Sequence, residues 1–249
     1  MVFAGIVLVP FAFKALKQIP KNNLGLVILS GIIGSFIPAY LFCIAETKID
    51  SALAGILNSL TPLFTIIVGM VFFKISIDPK KIGGILLGLV GLCISVVAGK
   101  TLHFENISFS IFIILATICY GFNVNMVGKH MQNISALNIA SLAFSFSMIP
   151  GMIILYMTGY FSYDFTNPAL LNATLAGGTL GVINTSIASI LFYILVKRAG
   201  ILFASTVTYA IPFVSLAMGL LYNEAIHPMR LLGLAIILCG VYIVNKRGT

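Results

Sequence analysis

The sequence predicts an all-α membrane protein, a polytopic helix bundle of about nine transmembrane helices arranged as two inverted repeats. Of its 249 residues, 60% are apolar and only 8% are charged, whereas a soluble domain carries about 25% charged residues. So few charges cannot cover a water-soluble surface, which excludes a soluble enzyme or a nucleic-acid-binding domain. The net charge of +8 is therefore expected to mark cytoplasmic loops and not a nucleic-acid partner.

The individual helices are predicted from long apolar stretches without charged side chains. A helix needs about 20 such residues to cross a hydrocarbon core ~30 Å thick. An eighth, shorter stretch, 231–245, is extended by the long side chains of Arg230 and Lys246 at its ends. The N-terminal stretch 1–13 is expected to be a transmembrane helix whose beginning is missing. The other seven stretches are residues 24–44, 51–73, 82–99, 107–128, 134–163, 169–196 and 199–223.

The distribution of basic residues gives an orientation to these nine helices. Eleven of the 14 basic residues fall in loops on one side, and only Lys48, Lys100 and Arg230 fall on the other. Because basic loops stay in the cytoplasm, the sequence predicts a cytoplasmic C-terminus. We expect a multi-pass protein of a bacterial plasma membrane.

An internal repeat relates the two parts of the chain. A shift of 149 places Gly84 and Gly91 on Gly233 and Gly240. The first repeat is predicted at 1–100, with four helices, and the second at 107–249, with five. Equivalent helices are five apart, so the copies have opposite orientations, which is typical of secondary transporters. At a shift of 150, nine residues in 31–72 are identical to their equivalents, namely Gly31, Ile33, Ile37, Leu41, Phe42, Ile44, Ala54, Pro62 and Gly69.

With this layout the sequence resembles the EamA family of the drug/metabolite transporter superfamily. The resemblance rests on the helices 51–73 and 199–222, each centred on a proline, and on the Asn-Glu-Ala-Ile-His-Pro loop at 223–228. Cys-Tyr-Gly-Phe-Asn at 119–123 is similar to the start of the family's second half. The resemblance implies ten helices in two five-helix halves, so this chain corresponds to that fold without its first helix. It departs from the family at Lys74, where the family has a glutamate.

The two central prolines suggest a substrate site near the bilayer midplane. A proline inside a helix leaves the carbonyl four residues earlier without its usual donor, which here belongs to Asn58 for Pro62 and to Thr208 for Pro212. A hydroxyl follows each proline on the same helix face, and these two polar stripes predict a substrate cavity. The alternative is that the prolines only shape helix packing. The predicted substrate-binding residues are Asn58, Pro62, Thr65, Tyr120, Asn123, Asn184, Thr208, Tyr209, Pro212 and Ser215.

Charged residues are expected only at the helix ends. Glu46 and Glu224 lie at outer ends, where they would gate the pathway or brace a loop, or simply be solvated. The middle of every stretch lacks the carboxylates that usually relay protons, so the sequence favours an uncharged or zwitterionic substrate. The cysteines and histidines have no metal-ligand spacing, and we expect no metal, no cofactor and no structural disulfide.

These observations predict a membrane transporter that exports small polar metabolites by alternating access of two inverted repeats, and the family resemblance implies that amino acids are among them. The expected partners are a small polar metabolite and the lipid bilayer, and an oligomer is possible. A membrane enzyme would need a nucleophile with a base or clustered acids, and the sequence has neither, so it predicts no enzyme. Two alternatives stay open at this point: a lipid or lipid-linked-sugar flippase, and a non-transporting truncated remnant.

Overall fold

The structure is a computed structural model that describes residues 1–49, 51–97, 106–221 and 228–245. Every regular element in these ranges is helical, as the predicted all-α class requires. The thirteen α-helices are α1 (Val2–Gln18), α2 (Lys21–Gly31), α3 (Ile37–Glu46), α4 (Ser51–Asn58), α5 (Thr61–Val71), α6 (Pro79–Val97), α7 (Ser110–His130), α8 (Ala136–Met157), α9 (Pro168–Leu180), α10 (Ala188–Ala199), α11 (Ile201–Ser205), α12 (Ile211–Leu221) and α13 (Pro228–Asn245).

Several of these helices continue into one another and form longer apolar rods. Within the described ranges, six rods are long and apolar enough to cross a membrane, so the protein is a multi-pass membrane protein. The predicted count of nine spans stays a prediction. The six are Lys21–Glu46, Leu53–Val71, Ile107–His130, Ala136–Met157, Pro168–Ala199 and Pro228–Asn245.

The charge-free stretch 134–163 contains the end of a helix and the beginning of the loop that follows it. The α-helix α8 stops at Met157, and Gly159 follows with φ of 71°. Glycine adopts this left-handed conformation without a steric penalty and therefore commonly ends helices. Residues Tyr160–Ser162 then form one turn of 3₁₀-helix before the loop to α9.

The chain forms two compact units, which we call unit 1 and unit 2. Unit 1 comprises Met1–Phe36 and Met126–Arg198, and unit 2 comprises Ile37–Asn125 and Ala199–Thr249. Each unit draws on both predicted repeats, so the units are a different division of the chain from the repeats. The repeat boundaries at 1–100 and 107–249 stay predictions.

Unit 1 is organised around α8, which packs against α1 and α2. The helices approach closely because glycines lie where they cross. A Cβ atom on Gly5 would lie 2.6 Å from the Cβ atom of Met148, and one on Gly31 would lie 2.4 Å from the carbonyl oxygen of Ala143. Small residues allow membrane helices this approach, so both glycines are required by packing.

Unit 2 contains an antiparallel pair, α6 and α13, joined by two symmetric glycine contacts. A Cβ on Gly84 would lie 2.8 Å from the carbonyl oxygen of Gly240, and one on Gly91 would lie 2.7 Å from that of Gly233. The 149-residue shift equates Gly84 with Gly233 and Gly91 with Gly240. A two-fold axis between α6 and α13 would place each helix on the position of the other. The Gly84–Gly240 contact would then fall on the Gly91–Gly233 contact, which is the arrangement observed.

Candidate functional site

Two of the long helices contain a π-helical segment near their midpoints. One is Ile32–Phe36, between α2 and α3, and the other is Gly181–Ile187, between α9 and α10. The 150-residue shift places Gly181 on Gly31, so the two segments occupy equivalent repeat positions. π-segments inside α-helices occur frequently at functional sites. Sequence reasoning missed these segments, although three of the nine repeat identities fall in or directly beside them.

Two other helices are interrupted immediately before their central prolines. In the first, α4 ends at Asn58 and α5 begins at Thr61, so Pro62 lies in the first turn of α5. In the second, a 3₁₀ segment at Thr206–Ala210 precedes α12, whose second residue is Pro212. Proline is accommodated in a first helical turn, where its missing N–H costs nothing. The expectation that both prolines lie inside continuous helices is therefore wrong.

The carbonyl groups that these prolines were expected to leave free both have donors. The hydroxyl of Thr61 donates to the carbonyl oxygen of Asn58 at 2.6 Å. The backbone N–H of Ile211 donates to the carbonyl oxygen of Thr208, because the tighter 3₁₀ geometry brings them together. Neither carbonyl is therefore left to bind a substrate in the way that the sequence suggested.

Asn125 joins α7 to α5 through hydrogen bonds to two backbone carbonyls. Its amide nitrogen donates to the carbonyl oxygen of Thr65 at 2.9 Å and to that of Gly121 at 2.8 Å. The hydroxyl of Thr65 itself donates to the carbonyl oxygen of Thr61 at 2.8 Å. Thr65, a predicted substrate ligand, is fully buried here and packs between helices. Asn125 was absent from the predicted site, although its place inside an apolar helix was the available signal.

Tyr209 also serves packing in this structure. Its side chain is only 1% exposed, and its hydroxyl donates to the carbonyl oxygen of Ile85 at 2.8 Å. The ring lies against Gly88, where an added Cβ would come within 2.5 Å of the ring atom Cε2. Tyr209 therefore fixes the 3₁₀ segment to α6.

The remaining predicted ligands of unit 2 differ in exposure. Asn58 is partly buried, and its side-chain oxygen accepts from the Thr61 hydroxyl at 3.4 Å. Asn123 is buried. Tyr120 is partly buried, with its ring 6.3 Å from that of Phe42. These three side chains stay candidates for substrate contact.

Thr208, Ser215 and the two glutamates complete the predicted set. The hydroxyl of Thr208 donates to the carbonyl oxygen of Ser205 at 3.3 Å. Glu46, the last residue of α3, is exposed, and its gating or bracing role stays a prediction. Glu224 and the side chain of Ser215 lie outside the described part of the structure.

Asn184 differs from the other candidates because its side chain is exposed at the middle of a membrane-spanning rod. It belongs to the π segment Gly181–Ile187, within the span Pro168–Ala199. Its neighbour Ser186 is buried and donates to the carbonyl oxygen of Gly181 at 3.3 Å. The π segment therefore turns one polar side chain inward and leaves the Asn184 amide outside the packed interior of unit 1.

An apolar cavity of about 310 Å³ opens beside the 3₁₀ segment in unit 2. Its wall is almost wholly hydrocarbon, whereas the sequence predicted a polar cavity around the prolines. The lining residues are Phe203, Thr206, Val207, Tyr209, Ala210, Phe213, Ile237, Leu238 and Val241.

The protein thus has several membrane-spanning helices, two π segments at equivalent repeat positions and two helix interruptions before central prolines. Together these are features of a helical membrane transporter. The model of the EamA-like transporter family matches residues 1–97 and 108–246. The chain therefore belongs to this family of drug/metabolite transporters, and it is a membrane transporter, as the sequence resemblance implied.

Two further comparisons agree with this assignment. The chain is 27% identical over 234 residues to a protein of Archaeoglobus fulgidus described as an uncharacterized transporter, covering 93% of this chain and 81% of that protein. It also shares its fold with a protein of known crystal structure, with a TM-score of 0.73 and 18% identity. That match covers 97% of this chain and 83% of the other.

Proposed function

We propose that the protein exports small polar metabolites, uncharged or zwitterionic and including amino acids, across a bacterial plasma membrane. The observation that carries this proposal is the exposed Asn184 in the middle of its span. Transfer of an unpaired amide into hydrocarbon costs roughly 2–7 kcal/mol. A side chain in this position is therefore more stable beside water or a polar solute than beside lipid tails.

The charge distribution supports a neutral substrate. Every charged residue within the six described spans lies in the first or last few residues of its span. A strongly charged solute would need an opposite charge near the midplane to offset its desolvation. The side chains of Asn58, Tyr120 and Asn184 instead suit a solute that is recognised by hydrogen bonds. We propose transport without catalysis or a cofactor, with the C-terminus in the cytoplasm.

The test compares metabolites in spent medium from cells that express the wild-type chain, Asn184→Leu or Thr179→Ala. Thr179 is the matched control, because it is exposed on the same span and its hydroxyl donates to its own helix, to the Leu175 carbonyl oxygen. We expect one class of polar metabolite to accumulate at least several-fold with wild type and Thr179→Ala. Asn184→Leu should abolish most of this excess at equal membrane abundance.

Two results would contradict the proposal. Wild type could leave the medium unchanged although it is present in the membrane, or Asn184→Leu could export as well as Thr179→Ala does. In the second case the Asn184 amide has no part in the pathway, and the exposed side chain needs a different explanation.

The apolar cavity favours a second candidate, a lipid or lipid-linked-sugar flippase. Two of its lining residues, Val207 and Leu238, are 45% and 58% exposed, so a lipid tail could reach it from the bilayer. Translocation of a fluorescent phospholipid in proteoliposomes, without any change in spent medium, would favour this function over metabolite export.

A further inference from the structure

The charged residues of unit 1 are nearly all basic. It contains six lysines and arginines but a single acidic residue, Asp164. Unit 2 contains eight basic and five acidic residues, so its charges are mixed. The basic residues of unit 1 are Lys14, Lys17, Lys21, Lys129, Lys197 and Arg198.

Hydrogen bonds between helices bring these basic residues to one end of unit 1. The amide nitrogen of Asn138, near the start of α8, donates to the side-chain oxygen of Gln18, the last residue of α1, at 2.8 Å. The amide nitrogen of Asn23, near the start of α2, donates to the carbonyl oxygen of His130, the last residue of α7, at 3.4 Å. The ends of α1 and α7 therefore adjoin the beginnings of α8 and α2.

Lys197 ties the end of α10 to the same place. Its ammonium group donates to the carbonyl oxygen of Met131 at 2.6 Å and to that of Gln132 at 3.2 Å, and it also contacts the carbonyl of Ile134. These carbonyls belong to the short connection between α7 and α8. Lys197 is thus engaged in the fold, whereas Arg198 beside it is exposed.

Neither the backbone nor Asp164 offsets this charge. Each helix C-terminus contributes about −0.5 and each N-terminus about +0.5 of an elementary charge, so the three C-termini and two N-termini at this end supply roughly −0.5 in total. Asp164 follows the far end of α8, whose 22 residues measure about 33 Å, well beyond the ~8 Å screening length of physiological salt. The N–H and the hydroxyl of Thr166 donate hydrogen bonds to Asp164 and hold the pKa of its carboxyl group below the usual value. Asp164 is therefore negatively charged, but its charge lies at the opposite end of α8.

The hydrophobic neighbours of Lys14 and Lys17 indicate that this basic end lies at the membrane interface. Phe13 and Leu16 are 66% and 42% exposed on the same last turns of α1. Alternating exposed apolar and basic side chains are typical of the membrane interface, where lysines extend from hydrocarbon to the headgroups. This pattern matches a lipid surface better than a dissolved anion or a nucleic acid.

We propose that the basic end of unit 1, centred on Lys14, Lys17, Lys21 and Arg198, binds the phosphate groups of anionic phospholipids. The lipid tails lie against the exposed apolar residues of α1, and the phosphates supply negative charge where unit 1, as far as the structure describes it, has no acidic side chain. This proposal does not depend on the identity of the transported solute.

Native mass spectrometry of the purified full chain tests this site, with phosphatidylglycerol and phosphatidylcholine as probes. The test variant is Lys14→Gln/Lys17→Gln/Lys21→Gln. The control is Lys74→Gln/Lys80→Gln/Lys81→Gln, which removes three lysines predicted on the same side but beside Asp78 in unit 2. Each lysine near an anionic surface strengthens binding roughly fivefold. We expect the dissociation constant of the first phosphatidylglycerol to rise about 100-fold in the test variant and to change little in the control.

Equal affinities in wild type and the test variant, or an equal loss in both variants, would overturn the proposal. Displacement of the lipid by millimolar inorganic phosphate would also overturn it, because a dissolved anion would then be the ligand. Both variants should elute as single species with unchanged helical circular dichroism. If the triple variant does not, Lys17→Gln alone is measured against Lys80→Gln, with an expected fivefold difference.

Discussion

Asn125 illustrates how a polar side chain inside a membrane bundle can stabilise the fold instead of binding a solute. Its amide connects α7 to α5 through the Thr65 carbonyl, and the side chain is 1% exposed. The sequence shows that an asparagine lies within an apolar helix, but it does not show which carbonyl that helix will meet. That information arises only when the helices pack.

Replacing Asn125 with alanine should therefore destabilise the protein. Interhelical hydrogen bonds in membranes contribute about 0.6 kcal/mol on average and up to ~1.7 kcal/mol, so losing this contact should cost an amount within that range. The melting temperature of the purified chain in detergent should fall by several degrees. Asn133→Ala is the control, because Asn133 is exposed in the connection between α7 and α8. An unchanged melting temperature for Asn125→Ala would mean that the bond contributes nothing.

Tyr209 and Thr65 show the same limit of residue-level prediction. The sequence placed each of them close to a central proline and predicted that both contact the substrate. The sequence could not show whether these side chains line a cavity or pack against α6 or α7. A cavity wall and a helix interface are both mostly apolar, and each contains a few polar groups. Asn184 differs from these two residues because its side chain is exposed and not buried. It lies in a π segment, and no residue type in the sequence predicts such a segment.

Among the elements, α6 and α13 are held together by glycines whose importance depends on the helix face. Gly84 meets the Gly240 backbone, whereas its neighbour Gly83 has open space around its Cα, with no atom within 4 Å of an added Cβ. The two adjacent residues therefore form a matched pair within one helix.

Gly84→Ala and Gly83→Ala should have opposite effects on stability. At Gly83, alanine favours the helix by roughly 0.5–1 kcal/mol. At Gly84, the added methyl group forces α13 away from α6 and should cost about 1–3 kcal/mol. Thermal unfolding of both purified variants beside wild type measures the difference. If Gly84→Ala were as stable as Gly83→Ala, the close approach of the two helices would be wrong.

The positions of the helices followed from charge-free stretches, because the bilayer excludes charge over a fixed thickness. The π segments and interruptions inside these helices were not predicted from the sequence. The sequence placed both prolines inside continuous helices, whereas the chain forms a turn before Pro62 and a 3₁₀ segment before Pro212.

At the scale of the whole molecule, the repeat was visible in the sequence because equivalent positions retain the same residues. The contacts between Gly84 and Gly240 and between Gly91 and Gly233 are symmetric in the way that an inverted repeat requires. The two compact units were not visible, since they combine helices that are far apart in the chain. A sequence shift reports equivalence between segments, whereas compactness depends on which segments touch.

Symmetry also gives the last prediction, which concerns alternating access. Pro62 and Pro212 begin α5 and α12 after equivalent interruptions, so rocking of the inverted halves would use both regions. Alanine restores the backbone N–H and allows each interrupted helix to become continuous. We expect Pro62→Ala and Pro212→Ala each to reduce flux of the exported metabolite several-fold at unchanged membrane abundance. Flux is measured as the accumulation of that metabolite in the medium.

Pro10→Ala is the matched control, because Pro10 lies inside the continuous helix α1 without an interruption beside it. This variant should transport like wild type. Normal flux in both Pro62→Ala and Pro212→Ala would rule out the interruptions as moving parts, whereas a defect in only one would mean that the two halves move unequally. A shared defect, absent from Pro10→Ala, is the result expected if the inverted repeats work by alternating access, since equivalent segments would then exchange roles during each transport cycle.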